Sequence, residues 1–174
     1  MSRHITRPDR AENAVSQWNR EIPGLNLLPM KVLGRLFEVS QVVMKEKLEP
    51  IFAIHGLKPG EFDVLATLRR SGAPYALTPT QLYNASMVSS GGMTARLDRL
   101  QKTGLINRKP HKTDRRALMA CLTVKGQTVI ENILPVYITA QTEALAGLTQ
   151  AEQELLAGLL ERLLWQLSNS DVST

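Results

Sequence analysis

The sequence lacks most of the residues from which small enzymes and secreted domains build their sites. A single cysteine, Cys121, occurs among 174 residues, so no disulfide can form within one chain and no thiolate cluster can hold a metal. The three histidines, His4, His55 and His111, are isolated from one another and show no metal-binding spacing. No nucleophile–base pair, phosphate loop or carboxylate pair can be assembled from the remaining spacings. We therefore expect no catalytic site, no metal and no cofactor.

Long apolar runs are also missing. No segment approaches the roughly 20 apolar residues that a membrane span needs, and the N-terminus has no apolar stretch of the secretory-signal kind. The length and the 43% hydrophobic content suit one soluble globular domain. These features predict a cytoplasmic protein that does not enter a membrane.

Positive charge is concentrated in one short region. Between Arg96 and Arg116 there are eight basic residues and two acidic ones, whereas the formal charge of the whole chain is only +5. The rest of the chain is therefore nearly neutral. So local an excess indicates a surface that faces an anionic partner.

Helical periodicity dominates the first third and the last third of the chain. Apolar residues at Ala11, Ala14, Val15 and Trp18 predict a short helix before Pro23. A pattern from Leu33 to Ile51 predicts a helix of five or six turns that ends, or only kinks, near Pro50. A helix capped by Thr123 and bent at Pro135, and a last helix from about Thr149 with paired leucines, follow later.

The middle of the chain predicts three short helices followed by two strands. The first helix follows Pro59, has apolar residues from Phe62 to Leu68 and ends near Gly72, and the second begins at the capping box of Thr78, Pro79, Thr80 and Gln81. Ser89 is a plausible cap for the third helix, which should end at Gly104. Strands are predicted at 105–110 and 118–122, with the basic turn between them.

This order is that of a winged helix-turn-helix. The predicted fold class is mainly α (α+β), with an N-terminal extension at 1–26, long helices at 27–56 and 124–170, and a DNA-binding region at 57–123. A helix fits the DNA major groove, and an arginine-tipped hairpin can reach the neighbouring minor groove or its phosphates. The candidate DNA contacts are Thr80, Ser89, Ser90, Gly91, Thr94, Arg99, Lys112, Arg115 and Arg116.

Two adjacent motifs carry a family resemblance. The segment 114–117, Asp-Arg-Arg-Ala, and the segment 122–126, Leu-Thr-Val-Lys-Gly, resemble the wing and the following helix start of the MarR family of bacterial transcription regulators. The resemblance covers about residues 27 to 167 and implies a homodimer with interlocking terminal helices, in which 27–56 and 124–170 are the dimerisation helices. It also implies that Arg116 enters the minor groove and that Asp114 stabilises the wing.

A narrower resemblance is to the urate-responsive branch of that family, of the PecS and HucR type. The segments Trp18–Pro23 and Glu61–Asp63 and the arginines from Arg96 to Arg108 carry it. It implies a ligand site formed by Trp18, Asp63, Arg96 and Arg108. Urate is a flat anion, for which an indole face and guanidinium groups are suitable partners. Related phenolic acids fit the same description.

The resemblance further implies how a ligand would control DNA binding. Asp63 would pair with an arginine in the empty site and be repelled by an anionic ligand. Because Arg96 belongs to the DNA-reading helix, this change would move that helix. The ligand and the DNA would then favour different conformations, as repression with ligand release requires.

Each assignment has a simpler alternative. Trp18 can seal a helix contact, Asp63 can complement a helix dipole, and Arg96 and Arg108 can bind phosphates without any ligand. Cys121 on a wing strand is interpreted as inert packing rather than as a redox sensor. At the level of function, a sequence-specific repressor, a non-specific or architectural DNA-binding protein, and a winged-helix module that binds protein all remain open.

Overall fold

The structure, a computed structural model, describes residues 9–87, 92–110 and 118–169. The predicted fold class is confirmed, because these residues form helices around a small antiparallel sheet. The helices before the sheet are α1 (Arg10–Glu21), α2 (Leu28–Val42), a π-helical segment (Val43–Leu48), α3 (Glu49–Ile54) and α4 (Pro59–Arg70). The remaining elements are β1 (Ala76–Leu77), α5 (Pro79–Ala85), α6 (Met93–Lys102), β2 (Ile106–Pro110), β3 (Leu118–Leu122), α7 (Val124–Ala144) and α8 (Gln150–Asn169).

The long N-terminal helix runs past its proline. Residues 28–54 are helical without a break, and Pro50 occupies the first turn of α3. Proline lacks the N–H that an α-helical turn needs. The turn before it is π-helical, and the Glu49 N–H donates to the carbonyl of Met44, five residues earlier. Of the two predicted outcomes at Pro50, the helix therefore continues, and it ends just before Gly56.

The sheet has one strand more than the sequence predicted. Strands β2 and β3 pair antiparallel with Arg108 opposite Ala120, as the wing prediction requires. The short strand β1 joins the other edge of β3, so the order is β1-β3-β2. The prediction of only two strands was wrong, because two residues are too few to show an alternating pattern.

The start of α7 explains the Leu-Thr-Val-Lys-Gly motif. The Thr123 hydroxyl accepts a hydrogen bond from Gly126 N at 3.0 Å and donates to the carbonyl of Gly104 at 2.9 Å. Only glycine fits at position 126, since a β-carbon there would collide with the carbonyl of Leu105. The motif thus fastens α7 to the chain segment between α6 and β2.

One core connects the middle of the chain to the long helices. Its centre is a stack of three aromatic rings, with Phe52 and Phe62 at 4.5 Å and Phe62 and Tyr137 at 4.7 Å between centroids. These rings belong to α3, α4 and α7, so the helix-turn-helix unit packs directly on the long helices. By contrast, no residue of α8 is buried, although this helix carries seven leucines.

Candidate nucleic-acid interface and ligand cavity

Helix α6 has a buried face and an exposed face. Met93, Leu97 and Leu100 are buried in the core, while Thr94 and Asp98 are exposed. The exposed face is the one on which the sequence analysis placed Thr94. Thr94 is accessible to solvent, and its contact with DNA stays a prediction.

The start of α6 differs from the prediction. The helix begins at Met93, and its N-cap is Gly92 in a left-handed conformation (φ 80°), with no side-chain cap hydrogen bond. Ser89 is therefore not the residue that caps this helix. Glycine takes this position because it has no β-carbon to oppose a positive φ. Ser89, Ser90 and Gly91 themselves lie outside the described residues.

Four of the predicted site residues belong to the segment that joins β2 to β3. Lys112, Asp114, Arg115 and Arg116 all fall within residues 111–117, which lie outside the described part of the chain. The strands that flank this segment, β2 and β3, are paired as a hairpin requires. The roles assigned to these four residues remain predictions.

Thr80 lies near the groove between α5, α6 and the sheet. It is exposed in the first turn of α5, where the predicted capping box forms: the Thr78 hydroxyl accepts from Gln81 N at 3.2 Å. A cavity of about 400 Å³ opens beside it, and Thr94 and Arg108 line the same cavity. Two predicted DNA contacts, Thr80 and Thr94, therefore share one surface.

Arg99 has a partner that the sequence analysis missed. Its Nε lies 2.6 Å from Oε1 of Glu61, a carboxylate on α4 whose side chain is only 2% exposed. Its Nη2 donates to the carbonyl of Gly56 at 3.0 Å. The guanidinium is thus directed at the corner between α3 and α4, not straight into solvent.

Arg108 is paired within the same unit. Its Nη2 lies 2.5 Å from Oδ1 of Asp98 on α6. Its partner in this structure is therefore not Asp63, and the cavity that it lines is not the one that Asp63 lines.

A larger cavity of about 550 Å³ lies between α4 and α7. Its charged and polar lining residues are Asp63, Arg69, Arg70, Glu131, Tyr137 and Gln141. Phe62, Ile130 and Leu134 supply apolar walls. Flat apolar walls with a few convergent polar groups are typical of small-molecule sites.

The two arginines that line this cavity have different kinds of partner. Arg69 pairs with Glu131 at 2.9 Å, and its guanidinium also lies 4.9 Å from the centre of the Tyr75 ring. Arg70 donates instead to neutral oxygens, the Thr67 hydroxyl at 3.1 Å and the carbonyl of Ala85. Sequence reasoning missed both arginines, although Arg70 lies seven residues after Asp63, about two helical turns along the same face.

Asp63 and Tyr137 face each other across the cavity. Burial raises the pKa of the Tyr137 phenol, the Asp63 carboxylate raises it further, and a hydrogen bond with Gln141 opposes these effects. Oδ2 of Asp63 accepts a hydrogen bond from Met87 N at 3.1 Å. Asp63 thus connects the cavity to the segment that leads from α5 towards α6.

Arg96 lies against the N-terminal turn of α4. A β-carbon at Gly60 would collide with its guanidinium, whose Cζ would be only 3.0 Å away. Gly60 precedes Asp63 by three residues, so Arg96 contacts the same end of the same helix. Two residues of the implied ligand site therefore meet at this end of α4: Asp63 belongs to the helix, and Arg96 packs against it.

Trp18 lies apart from the cavity. It is on α1, 45% exposed, and the cavity lined by Asp63 does not include it. Helix α1 is held on α2 by ion pairs from Arg35 to Asp9 at 2.8 Å and from Lys31 to Glu12 at 2.8 Å. The described protomer therefore does not assemble Trp18, Asp63, Arg96 and Arg108 into one site.

Cys121 is buried on β3. Burial raises the pKa of its thiol, and the positive charge of Lys109 opposes this effect. Among residues 9–87, 92–110 and 118–169, no group of three or more His, Cys, Asp or Glu residues is arranged to hold a metal ion. Within those ranges, no helix combines the length and the hydropathy of a membrane span.

This chain is similar to known proteins in sequence and in fold. A family model described as "MarR family" matches residues 55–117. The HTH-type transcriptional regulator PecS of Dickeya dadantii is 38% identical over 170 residues, which cover 98% of this chain and 99% of that protein. The proteins that match are regulators of transcription, in agreement with the expectation that this chain is not an enzyme.

Two solved structures resemble the fold. A probable transcriptional regulator from Pseudomonas aeruginosa is 30% identical, with a TM-score of 0.62, over 74% of this chain and 92% of that one. A cysteine-to-serine mutant of MarR from E. coli, solved in complex with operator DNA, is 28% identical, with a TM-score of 0.68. That match covers 84% of this chain and 97% of the MarR chain.

Proposed function

Because the chain belongs to the MarR family of DNA-binding transcriptional regulators, we propose that it is a ligand-responsive repressor. It binds a pseudo-palindromic operator as a homodimer, with α6 in the major groove and the β2–β3 wing beside it. A small anionic aromatic ligand, such as urate or a phenolic acid, releases it from DNA.

The main support for this proposal is that α6 has one buried apolar face and one exposed face. Its apolar residues are buried against the rest of the unit, and its outer face presents Thr94, Ala95 and Asp98 to solvent. The eight basic residues between Arg96 and Arg116 belong to α6 or follow it in the sequence. A short exposed helix in a basic environment is the arrangement that reads a DNA groove.

The unpartnered terminal helices support a homodimer. On α8, the side chains of Leu155, Leu164 and Trp165 are each more than 60% exposed. On α2, Leu28 and Phe37 are each 65% exposed. Apolar side chains in such numbers stabilise an assembly when a second copy covers them, at roughly 25 cal/mol per Å² removed from water. We propose 1–26 as an extension, 27–56 with 124–170 as the dimerisation region, and 57–123 as the DNA-binding region.

The cavity between α4 and α7 supports an anionic aromatic ligand. Phe62 and Tyr137 provide flat apolar surfaces, and the Arg70 guanidinium binds only neutral oxygens among its contacts described above. A planar anion would stack on the rings and accept from this guanidinium. Of the ligand set implied by the resemblance, Trp18, Asp63, Arg96 and Arg108, Asp63 alone lines this cavity in the described residues, and we propose Arg70 as the guanidinium that binds the anion there.

The contacts of Asp63 support a route from ligand to DNA. An anion beside Asp63 would repel its carboxylate and weaken the hydrogen bond with Met87 N. Arg96, which lies on α6 and against Gly60, would experience the same new charge. Ligand and DNA would then favour different positions of α6, which gives negative coupling between the two.

Titration of the protein–DNA complex with urate tests this proposal. The DNA is a duplex selected by the protein from a random-sequence library, and salicylate and neutral xanthine are titrated in parallel. We expect urate to lower DNA affinity at least tenfold, because a coupling of this size is ordinary for regulators of this kind. Equal binding of selected and random duplexes would indicate an architectural protein, and absence of salt-sensitive DNA binding would indicate a module that binds protein.

A further inference from the structure

A buried carboxylate, that of Glu61, lies between α4 and α6, the helix proposed to read DNA. Glu61 belongs to the first turn of α4 and is 2% exposed. One of its oxygens, Oε2, accepts from Lys58 N at 2.9 Å and so caps its own helix. The other, Oε1, lies 2.6 Å from Nε of Arg99 on α6.

Arg99 contacts α4 and the turn before it at the same time. While its Nε faces Glu61, its Nη2 donates to the carbonyl of Gly56 at 3.0 Å. Gly56 forms the turn between α3 and α4 with a positive φ of 68°, a conformation suited to glycine. A single guanidinium therefore connects α6 to two points of the α3–α4 corner.

This connection differs in kind from the apolar packing of α6. The buried face of α6, with Met93, Leu97 and Leu100, packs by apolar contact, which has no preferred direction of its own. At its N-terminus, Gly92 contributes no side-chain cap. A charge-assisted pair with a buried carboxylate has a preferred distance and direction. The pair of Asp98 with Arg108 ties α6 to β2, and the Glu61–Arg99 pair fixes the orientation of α6 relative to α4.

We propose that Glu61 is a positioning residue for DNA recognition and that it acts through Arg99. This inference rests on the proposed function, in which α6 enters the major groove. It also changes the role of Arg99, which the sequence alone marks as a DNA contact. An arginine already neutralised by a carboxylate adds little net charge to the DNA-binding surface, so its effect on affinity comes from geometry.

The two roles of Arg99 predict opposite effects of Glu61→Gln. If Arg99 binds a phosphate, removing the negative charge of Glu61 leaves a freer cation and strengthens the complex with a polyanion. If Glu61 positions α6, the same substitution weakens the complex, because the neutral amide binds the guanidinium less strongly. Salt dependence separates the roles again, since each lost phosphate contact reduces the slope of log Kobs against log salt by about 0.9.

The test measures affinity for a library-selected duplex by fluorescence anisotropy over a series of KCl concentrations. The variants are Glu61→Gln, Arg99→Gln, both together, and Arg99→Lys, which keeps the charge but loses the planar fork. Lys102→Gln is the control, because it removes the same charge from an exposed position of the same helix. Circular dichroism establishes that each variant is folded at the temperature of the assay.

We expect Glu61→Gln and Arg99→Gln each to weaken binding about tenfold, and the double variant no more than either one. The salt slope of Arg99→Gln should equal that of the wild type, and Arg99→Lys should lose nearly as much affinity as Arg99→Gln. If Glu61→Gln does not fold, the two Arg99 variants test the inference on their own. Arg99→Gln must then weaken DNA binding more than Lys102→Gln does.

Three results would overturn the inference: tighter or unchanged binding by Glu61→Gln, a reduced salt slope for Arg99→Gln, or full affinity in Arg99→Lys. Wild-type protein that binds no DNA would instead overturn the proposed function, and this inference with it. Wild-type binding with unaffected variants would overturn only the role of Glu61.

Discussion

The Asp63 carboxylate on α4 accepts a hydrogen bond from the backbone N–H of Met87 at 3.1 Å. Asp63 also lines the cavity between α4 and α7, and its charge raises the pKa of Tyr137. One side chain thus contacts both the space proposed for a ligand and the chain that leads towards α6, the helix proposed to read DNA. This relationship is the physical basis for the proposed coupling of the two sites.

Asp63→Asn should separate DNA binding from ligand response. The amide oxygen of asparagine can still accept from Met87 N, so we expect DNA affinity to stay within about threefold of the wild type. An anionic ligand no longer repels this side chain, so urate should bind at least as tightly, but its effect on DNA affinity should become about tenfold smaller. Anisotropy titrations with urate measure both quantities. An effect of urate on DNA affinity as large as in the wild type would show that the charge of Asp63 does not transmit the signal.

Gly60→Ala should alter the ligand response without destabilising the protein. A β-carbon at Gly60 displaces the Arg96 guanidinium, while alanine favours the helix by roughly 0.5–1 kcal/mol over glycine. We expect a thermal midpoint at or above that of the wild type and a weaker effect of urate on the DNA complex. Gly147→Ala is the matched control, because a β-carbon there meets no atom within 4 Å among the described residues. An unchanged urate titration of Gly60→Ala would exclude Arg96 from the ligand site.

Leu159→Asp should dissociate the proposed dimer. Leu159 is 49% exposed on α8, in the midst of the leucine-rich surface. A carboxylate placed in an apolar interface costs about 3 kcal/mol or more in each subunit. Sedimentation equilibrium should show a monomer with little affinity for the operator, whereas Ser168→Asp near the end of the same helix should remain dimeric. A Leu159→Asp dimer of wild-type affinity would exclude α8 from the interface.

Cys121 should react slowly with iodoacetamide in the native protein. The thiolate is the reactive form, and burial raises the pKa of this thiol, so little thiolate exists near neutral pH. Because folding favours the protonated thiol, the stability that it contributes is present below the ordinary thiol pKa and is lost as the pH rises through the raised value. Alkylation should therefore accelerate with pH and with denaturant. Rapid alkylation of native protein at neutral pH would revive the redox-sensor interpretation.

Local signals in the sequence were enough to predict most of the elements. The capping box at Thr78 and Gln81 forms as predicted, and the strand at 118–122 has the predicted bounds. Such features depend on residues within one turn or one strand. The strand at 76–77 and the π-helical turn before Pro50 were missed, since the first exists only through its pairing with β3 and the second through a shift of hydrogen bonds.

Side-chain pairs between residues far apart in the sequence were harder to predict. The pattern placed Arg99 on the exposed face of α6 correctly, but its partner Glu61 lies 38 positions earlier and became visible only in the fold. Arg108 was assigned to a site with Asp63, and it pairs with Asp98 instead. Side-chain charge can be read from a sequence, whereas the choice between several nearby opposite charges depends on tertiary packing.

Competition between specific and scrambled duplexes tests the central claim most directly. The protein is added to a labelled duplex selected from a random library, and unlabelled selected or scrambled duplex is titrated against it at several salt concentrations. The account predicts one dimer on each duplex, half-sites about 10 bp apart, and a preference of roughly a thousandfold or more over scrambled DNA. Equal competition by both duplexes, or binding by single monomers, would contradict it.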